Sequence, residues 1–205
     1  MNRLVFPLIS CTLSLFSGIL TNTGQDHYSV KVQTLINAVK QAKIAQIKSL
    51  IKQSNPELIN ISNSNGSTPL HFACFYGHLA VAKLLLEKGA HIGSKTLNLA
   101  DFPLPAVLAQ GKTVTPLMLA CFKGNLALVK LILDHMANHP GEINNADAYG
   151  QAALTYAILG SPDWPHAALD PVRIAIIELL IKYGATPLIM DHSGQTPDAL
   201  LAQIN

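Results

Sequence analysis

Thr68-Pro69-Leu70-His71-Phe72-Ala73-Cys74-Phe75-Tyr76-Gly77-His78-Leu79 is echoed by Thr115-Pro116-Leu117-Met118-Leu119-Ala120-Cys121-Phe122-Lys123-Gly124-Asn125-Leu126. Both stretches run on into a second apolar segment, Val81 to Glu87 and Leu128 to Asp134. The residue choices spell a helix, a tight turn and a second helix. Thr at an N-cap accepts a backbone N–H, and the Pro after it has a preset φ and no donor to leave unpaired. Leu70 and Ala73 lie three apart and share one face of the first helix. Ala73 and Ala120 are small enough to let helices approach closely. Gly77 and Gly124 permit the turn, and Gly89 fits the left-handed residue past a helix end. One such pair cannot bury its own apolar face, so near-copies must stack.

Outward from these two copies the pattern continues with drift. Ala152-Ala153-Leu154-Thr155-Tyr156-Ala157 begins a third unit, preceded by Asp147-Ala148-Tyr149-Gly150 and closed by Leu179-Leu180-Ile181-Lys182-Tyr183-Gly184-Ala185. Gly194-Gln195-Thr196-Pro197 opens a last unit with a single helix, Asp198 to Gln203. Before the clear copies, Leu35 to Val39 and Ile44 to Ile51 form a degenerate helix pair.

The Thr-Pro-Leu-His start, the Gly turn and the Leu84-Leu85-Leu86-Glu87-Lys88-Gly89-Ala90 ending resemble the ankyrin repeat. The resemblance implies an all-α solenoid of stacked helix–turn–helix units with short finger loops. The expected organisation is a capping pair over 25–64, three repeats over 65–192 and a half-repeat cap over 193–205. Unit starts at 68, 115, 152 and 196 are 47, 37 and 44 residues apart, against a family period of about 33. The excess falls at 93–111, about fourteen residues, at 138–142, four, and at 160–172, eleven. The first two lengthen fingers and the third lengthens the turn between helices.

The resemblance also implies non-enzymatic binding of a protein partner through finger tips and the concave side of each first helix. Those positions map onto Asn65, Ser67, Phe75 and Tyr76, then Lys112, Val114, Phe122 and Lys123, then Tyr149, Gln151 and Leu159. Phe75, Tyr76 and Phe122 would form an aromatic strip of the kind that anchors interfaces. Two other readings stay open. In one, Phe75 and Phe122 are core between repeats; in the other, the 93–111 loop folds back over the groove with Phe102, Leu104 and Val107.

Composition agrees with a packed chain: 205 residues, 49% apolar and only 13% charged. Charge is uneven, eleven Lys and four acids over 25–130 against two basic residues and eight acids over 131–205. Such a dipole would orient a charged partner; scattered solvated charge is the bland reading. Lys31, Lys40, Lys43, Lys48 and Lys52 make the cap basic, but without interleaved aromatics they read as a solvated face, not a nucleic-acid surface. Arg3 precedes an apolar run from Leu4 to Leu20 with no acid before Asp26. That layout predicts a cleaved signal over 1–24 and a periplasmic or secreted protein, with an uncleaved anchor as the alternative; a monomer is expected. Pro7, Ser10, Thr12, Ser14 and Ser17 argue against a lasting membrane span, and Leu8-Ile9-Ser10-Cys11 is only a loose lipidation box.

No set of residues spells catalysis, a metal site or a cofactor site. His135 and His139 are four apart, but no third ligand at matching spacing completes a zinc site. Cys74 and Cys121 hold equivalent positions and are expected to stay reduced and buried. Gly111-Lys112-Thr113 resembles the end of a phosphate loop, yet Ala106 stands where the first Gly belongs. Asp163-Trp164-Pro165-His166 is the one polar cluster in the 160–172 insertion. Asn60-Ile61-Ser62 and Asn65-Gly66-Ser67 are glycosylation sequons, relevant only in a eukaryotic secretory route. The leading expectation is a binding scaffold with no cofactor. The alternative is a secreted bacterial effector that engages a host protein by the same surface.

Overall fold

The computed structural model describes residues 23–53, 56–104, 113–137, 140–160, 170–187 and 190–204. The described residues contain α-helices and short 3-10 turns, with no strand among them. The helices are α1 (Thr23–Lys40), α2 (Ile44–Gln53), α3 (Pro69–Phe75), α4 (Leu79–Glu87), α5 (Pro116–Phe122), α6 (Leu126–Met136), α7 (Ala153–Leu159), α8 (Pro171–Lys182) and α9 (Pro197–Ile204). An inner row stacks α1 on α3, α3 on α5, α5 on α7 and α7 on α9. The outer row runs from α4 to α6 to α8, and α1, α3, α5 and α7 each pack on the second helix of their own pair. This is the expected all-α array. Most of the leader expected over 1–24 lies outside the described residues, as do His139, Val107 and Asp163 to His166.

Identical turn bonds set the register of the copies. His78 N–H donates to Ala73 O at 2.9 Å and Asn125 N–H to Ala120 O at 3.2 Å. In the degenerate first pair, Lys43 N–H donates to Ala38 O at 2.9 Å. Lys40, Phe75 and Phe122 are therefore equivalent, and Ala42 stands where the clear copies carry Gly77 and Gly124. Its φ is +52°, against +76° and +66° for the glycines. The first pair thus keeps the turn while lacking the residue that makes it easy.

The core is one continuous apolar stack in which Leu70, Phe72, Leu85, Leu117, Met118, Leu133 and Tyr156 are buried. Each such Leu contributes about 2 kcal/mol on burial. The helix starts follow local chemistry. Asp170 caps α8 by accepting from Val172 N–H at 2.7 Å and Arg173 N–H at 3.0 Å, with Pro171 at the first turn. Pro171 and Val172, assigned above to the insertion over 160–172, are therefore already helix, because the Asp-Pro pair starts it there.

Two 3-10 turns, Pro56–Asn60 and Pro140–Asn144, prepare the fingers that follow. Asn60 Nδ2–H donates to Gly89 O at 3.1 Å, and Asn60 Oδ1 accepts from His91 N–H at 2.8 Å. Asn144 repeats this with Gly184 O at 3.0 Å and Thr186 N–H at 2.9 Å. Each clasp ties one repeat to the Gly-Ala ending of the next outer helix. The clasp spans 29 residues in the first case and 40 in the second. The difference of eleven equals the length ascribed to the 160–172 insertion.

Candidate functional site

The fingers begin from an Asx turn that the sequence repeats. Asn63 Oδ1 accepts from Asn65 N–H at 3.0 Å and Ser67 N–H at 2.9 Å. Asp147 Oδ1 accepts from Tyr149 N–H at 2.8 Å and Gln151 N–H at 2.9 Å. Asp191 Oδ1 accepts from Ser193 N–H at 2.9 Å and Gln195 N–H at 3.0 Å. In each case the same residue's N–H also donates across the base, to Ser67 O, Gln151 O or Gln195 O. Short polar side chains favour this geometry because one oxygen satisfies two turn donors.

The remaining finger departs from the pattern. Thr96 N–H donates to Val114 O at 3.1 Å, and Val114 N–H returns to Thr96 Oγ1 at 2.9 Å. The base is intact, but residues 97–113 replace a three-residue tip, which accounts for the fourteen additional residues. His71 supports this open base. Its Nδ1 accepts from Thr68 N–H at 3.1 Å, and its Nε2–H donates to Val114 O at 3.1 Å. Burial lowers its pKa to about 4 against the raising effect of the Val114 carbonyl, so the ring is neutral in the fold. Met118 takes the same place in the next repeat, its sulfur accepting from Thr115 N–H at 3.3 Å.

The inserted segment turns back onto the inner helices. Leu97 N–H donates to Asn65 O at 2.8 Å, and Asn98 Nδ2–H to Asn65 Oδ1 at 3.1 Å. Asp101 Oδ2 accepts from Asn63 Nδ2–H at 2.8 Å. Partial burial raises the Asp101 pKa, but the side chains of Asn63, Ser67 and Asn65, with the Lys40 charge, more than offset it and hold it below the usual carboxylate value. Phe102 lies under this loop at 2% exposure, its ring centroid 5.2 Å from Phe72 and 5.1 Å from Phe75. Lys40 Nζ caps the Phe72 ring at 4.5 Å.

This placement corrects several expected contact residues. Phe75 is 9% exposed and Phe122 only 1%. Phe102 lies on the first, and Lys123 Nζ lies 5.4 Å from the Phe75 ring and 5.9 Å from the Phe122 ring. Ser67, Val114 and Gln151 are also buried. All three occupy the position whose backbone closes a finger base, which draws the side chain under the next finger; Gln151 Nε2–H, for instance, donates to Asp191 Oδ2 at 3.3 Å. Asn65 is partly buried and committed to Leu97 and Asn98. Lys112 lies outside the described residues.

Tyr76, Lys123, Tyr149 and Leu159 remain at least partly exposed along the inner edge. Tyr76 is 45% exposed, packed edge-on against Phe75 at 5.4 Å and stacked on the His78 ring at 6.0 Å. Tyr149 lies 5.5 Å from the His192 ring, and its carbonyl accepts from His192 N–H at 2.9 Å. Sequence reading missed Leu97, 68% exposed at the start of the loop, because an apolar residue in an insertion carries no periodic signal. It also missed the Asn60 and Asn144 clasps, although Pro56-Glu57-Leu58-Ile59-Asn60 and Pro140-Gly141-Glu142-Ile143-Asn144 are visibly related.

A family model described as ankyrin repeats (3 copies) matches residues 10–96 and again 101–191. The chain belongs to the ankyrin-repeat family. Ankyrin repeats are in general protein–protein interaction modules, and the family is typically non-enzymatic. Over 79 residues the chain is 33% identical to mouse oxysterol-binding protein-related protein 1, covering 38% of this chain and 8% of that protein. The human protein of that name is 34% identical over the same length. The ANK repeat-containing protein nipk-1 of Caenorhabditis elegans is 26% identical over 158 residues, 73% of this chain and 22% of its own length. The chain thus spans less than a tenth of the oxysterol-binding relatives it matches and about a fifth of the nematode one.

The remaining polar groups fit an ankyrin scaffold. Cys74 and Cys121 are free and buried, and burial pushes both thiols up, away from the thiolate a nucleophile needs. His135 Nδ1 lies 2.9 Å from Leu131 O within α6. Among the described residues no three His, Cys, Asp or Glu side chains gather as metal ligands, and no helix is long and apolar enough to cross a membrane. Both sequon asparagines are engaged, Asn60 in its clasp and Asn65 with Asn98.

Proposed function

We propose that this chain is a non-enzymatic binding module that holds a protein partner along the inner-helix edge and the finger tips, with Tyr76, Lys123 and Tyr149 as contact residues. The observation that carries this reading is Tyr76, a large ring 45% exposed yet fixed by Phe75 and His78. A held aromatic loses little entropy on binding, and such residues anchor interfaces. Lys123, the equivalent residue of the next repeat, lies over the Phe75 ring and adds positive charge to the same edge. Capture from the native source, compared between the unaltered chain and a Tyr76→Ser/Lys123→Ser variant, tests the reading. The expected outcome is at least a tenfold loss of the captured partner with Tm unchanged. Equal capture by both chains would refute it.

The basic start and apolar run within 1–24 support export to the periplasm or the exterior. Mass spectrometry of the mature chain should then find an N-terminus near residue 25; an intact Met1 would remove that part of the proposal.

A further inference from the structure

The groove of the first full repeat is occupied by a piece of the chain itself. Asp101 is seated on the Asn63 amide, and Phe102 on Phe72 and Phe75. Leu104 packs at the edge of the same core. The neighbouring Ala100 and Pro103 face solvent. The backbone N–H groups of Phe102 and Leu104 bond within the segment, to Leu99 O at 3.0 Å and Phe102 O at 2.9 Å. The grip on the repeats is thus mainly one carboxylate and one ring. The segment is surplus to the repeat unit, since the finger base closes at Thr96 and Val114 without it. A cleft of about 750 Å³ with a mainly apolar wall opens beside Asp101, lined by Val30, Val32, Gln33, Ile61 and Asn65 among others.

We infer that Asp101-Phe102-Pro103-Leu104 is an internal ligand of the inner-helix groove, and that the partner segment which takes its place carries the same pair, a carboxylate followed directly by an aromatic ring. The inference rests on the binding-module reading and names the partner chemistry for it. The seat for the carboxylate is the Asn63 amide with the Ser67 and Asn65 side chains and the Lys40 charge, and the seat for the ring is the pair Phe72 and Phe75, with Lys40 over Phe72. Neither seat distinguishes a segment of this chain from one of another. A tethered competitor acts at an effective concentration in the millimolar range. A partner therefore displaces it by adding contacts in the adjoining cleft, and its apparent affinity falls with the fraction of chains whose groove is open.

The test uses a labelled peptide copying Asn98 to Leu104, titrated by fluorescence anisotropy against the full chain, Phe102→Ala and Asp101→Asn. Phe102→Ala vacates the ring seat and should bind the peptide at least tenfold more tightly than the unaltered chain. Lys40→Ala added to that variant should cancel several-fold of the gain, and a peptide with Ser in place of Phe should not bind. Equal affinity of the unaltered and Phe102→Ala chains overturns the inference. If Phe102→Ala loses its cooperative melt, Asp101→Asn decides: a several-fold gain in peptide affinity supports the internal ligand, and no gain overturns it. A dimer of the unaltered chain in sedimentation that the peptide dissolves would assign the seat to a second copy and overturn the partner assignment. Retained capture by Tyr76→Ser/Lys123→Ser would sink the binding-edge reading without changing these peptide affinities, so the two fail separately.

Discussion

The fingers based at Asp147 and Thr96 solve one problem in two ways. At Asp147 a single carboxylate accepts from Tyr149 N–H, Gln151 N–H and, at 2.8 Å, the buried Tyr156 hydroxyl. That finger closes in three residues and presents a short tip. At Thr96 the hydroxyl accepts from Val114 N–H at 2.9 Å, and the chain leaves for seventeen residues before returning. Support comes instead from the previous repeat, through His71 to Val114 O. The contrast shows that the array depends on the finger base, and the tip is free to become a loop with its own task.

The largest expected effect separates the two bases. Asp147→Ala strands two turn donors and a buried phenol and should cost about 3 kcal/mol, whereas Thr96→Val takes the acceptor from Val114 N–H and should cost about 1 kcal/mol. Urea unfolding with unchanged m values would report both. Similar losses at the two sites would end the comparison.

The His71 prop adds a pH dependence of nearly the same size. Its pKa is about 4 in the fold and near 6.5 in the unfolded chain. Above 6.5 both states are neutral and nothing is lost. Below it the unfolded chain takes up a proton that the folded chain refuses, so stability falls as pH drops from 6.5 to 4, by about 3 kcal/mol. His71→Met installs the residue found in the next repeat and should flatten that part of a pH series of unfolding midpoints. An unchanged slope would show that His71 is not its source.

The tips can be compared through their glycines. Gly66 and Gly194 have φ of +78° and +79°. A Cβ on Gly66 would sit 2.5 Å from Leu97 N and 2.8 Å from Leu97 Cγ, while on Gly194 it meets nothing within 4 Å. Gly194→Ala should cost about 1 kcal/mol for the left-handed backbone alone. Gly66→Ala should cost roughly twice that and loosen the loop over Phe75. Thermal melts that rank the two variants the other way would deny the close approach of loop and finger.

The smallest effect tests the register itself. Ala42 holds a left-handed φ where its counterparts are Gly77 and Gly124. Ala42→Gly should stabilise by about 0.5 kcal/mol. A Tm rise of about 1 °C is the expected reading, and a fall would mean that the first pair does not share the turn of the others.

The array was legible because each of its instructions is local. Thr68-Pro69, Gly77 and the Leu84 to Ala90 ending act within a dozen residues, and their recurrence announces stacking whatever lies between. The Asx bases at Asn63, Asp147 and Asp191 were equally present in the sequence, each three residues before a Gly, as were the paired Pro-to-Asn turns. The contact surface was not legible in the same way. Tyr76 and Phe75 are neighbours in the chain, yet one stands 45% exposed and the other is covered. Nothing within the repeat says which.

By itself the sequence determined an all-α stack of repeats, its register and the sizes of its insertions, because periodic apolar faces and turn residues specify those through short-range sterics and the need to bury one face. Tertiary structure decided what the inner-helix groove contains. Phe102 reaches Phe75 across 27 residues of chain, and Lys40 reaches Phe72 from the preceding helix pair. Burial between segments so far apart depends on where an aperiodic loop comes to rest, and that is settled only when the repeats are already stacked.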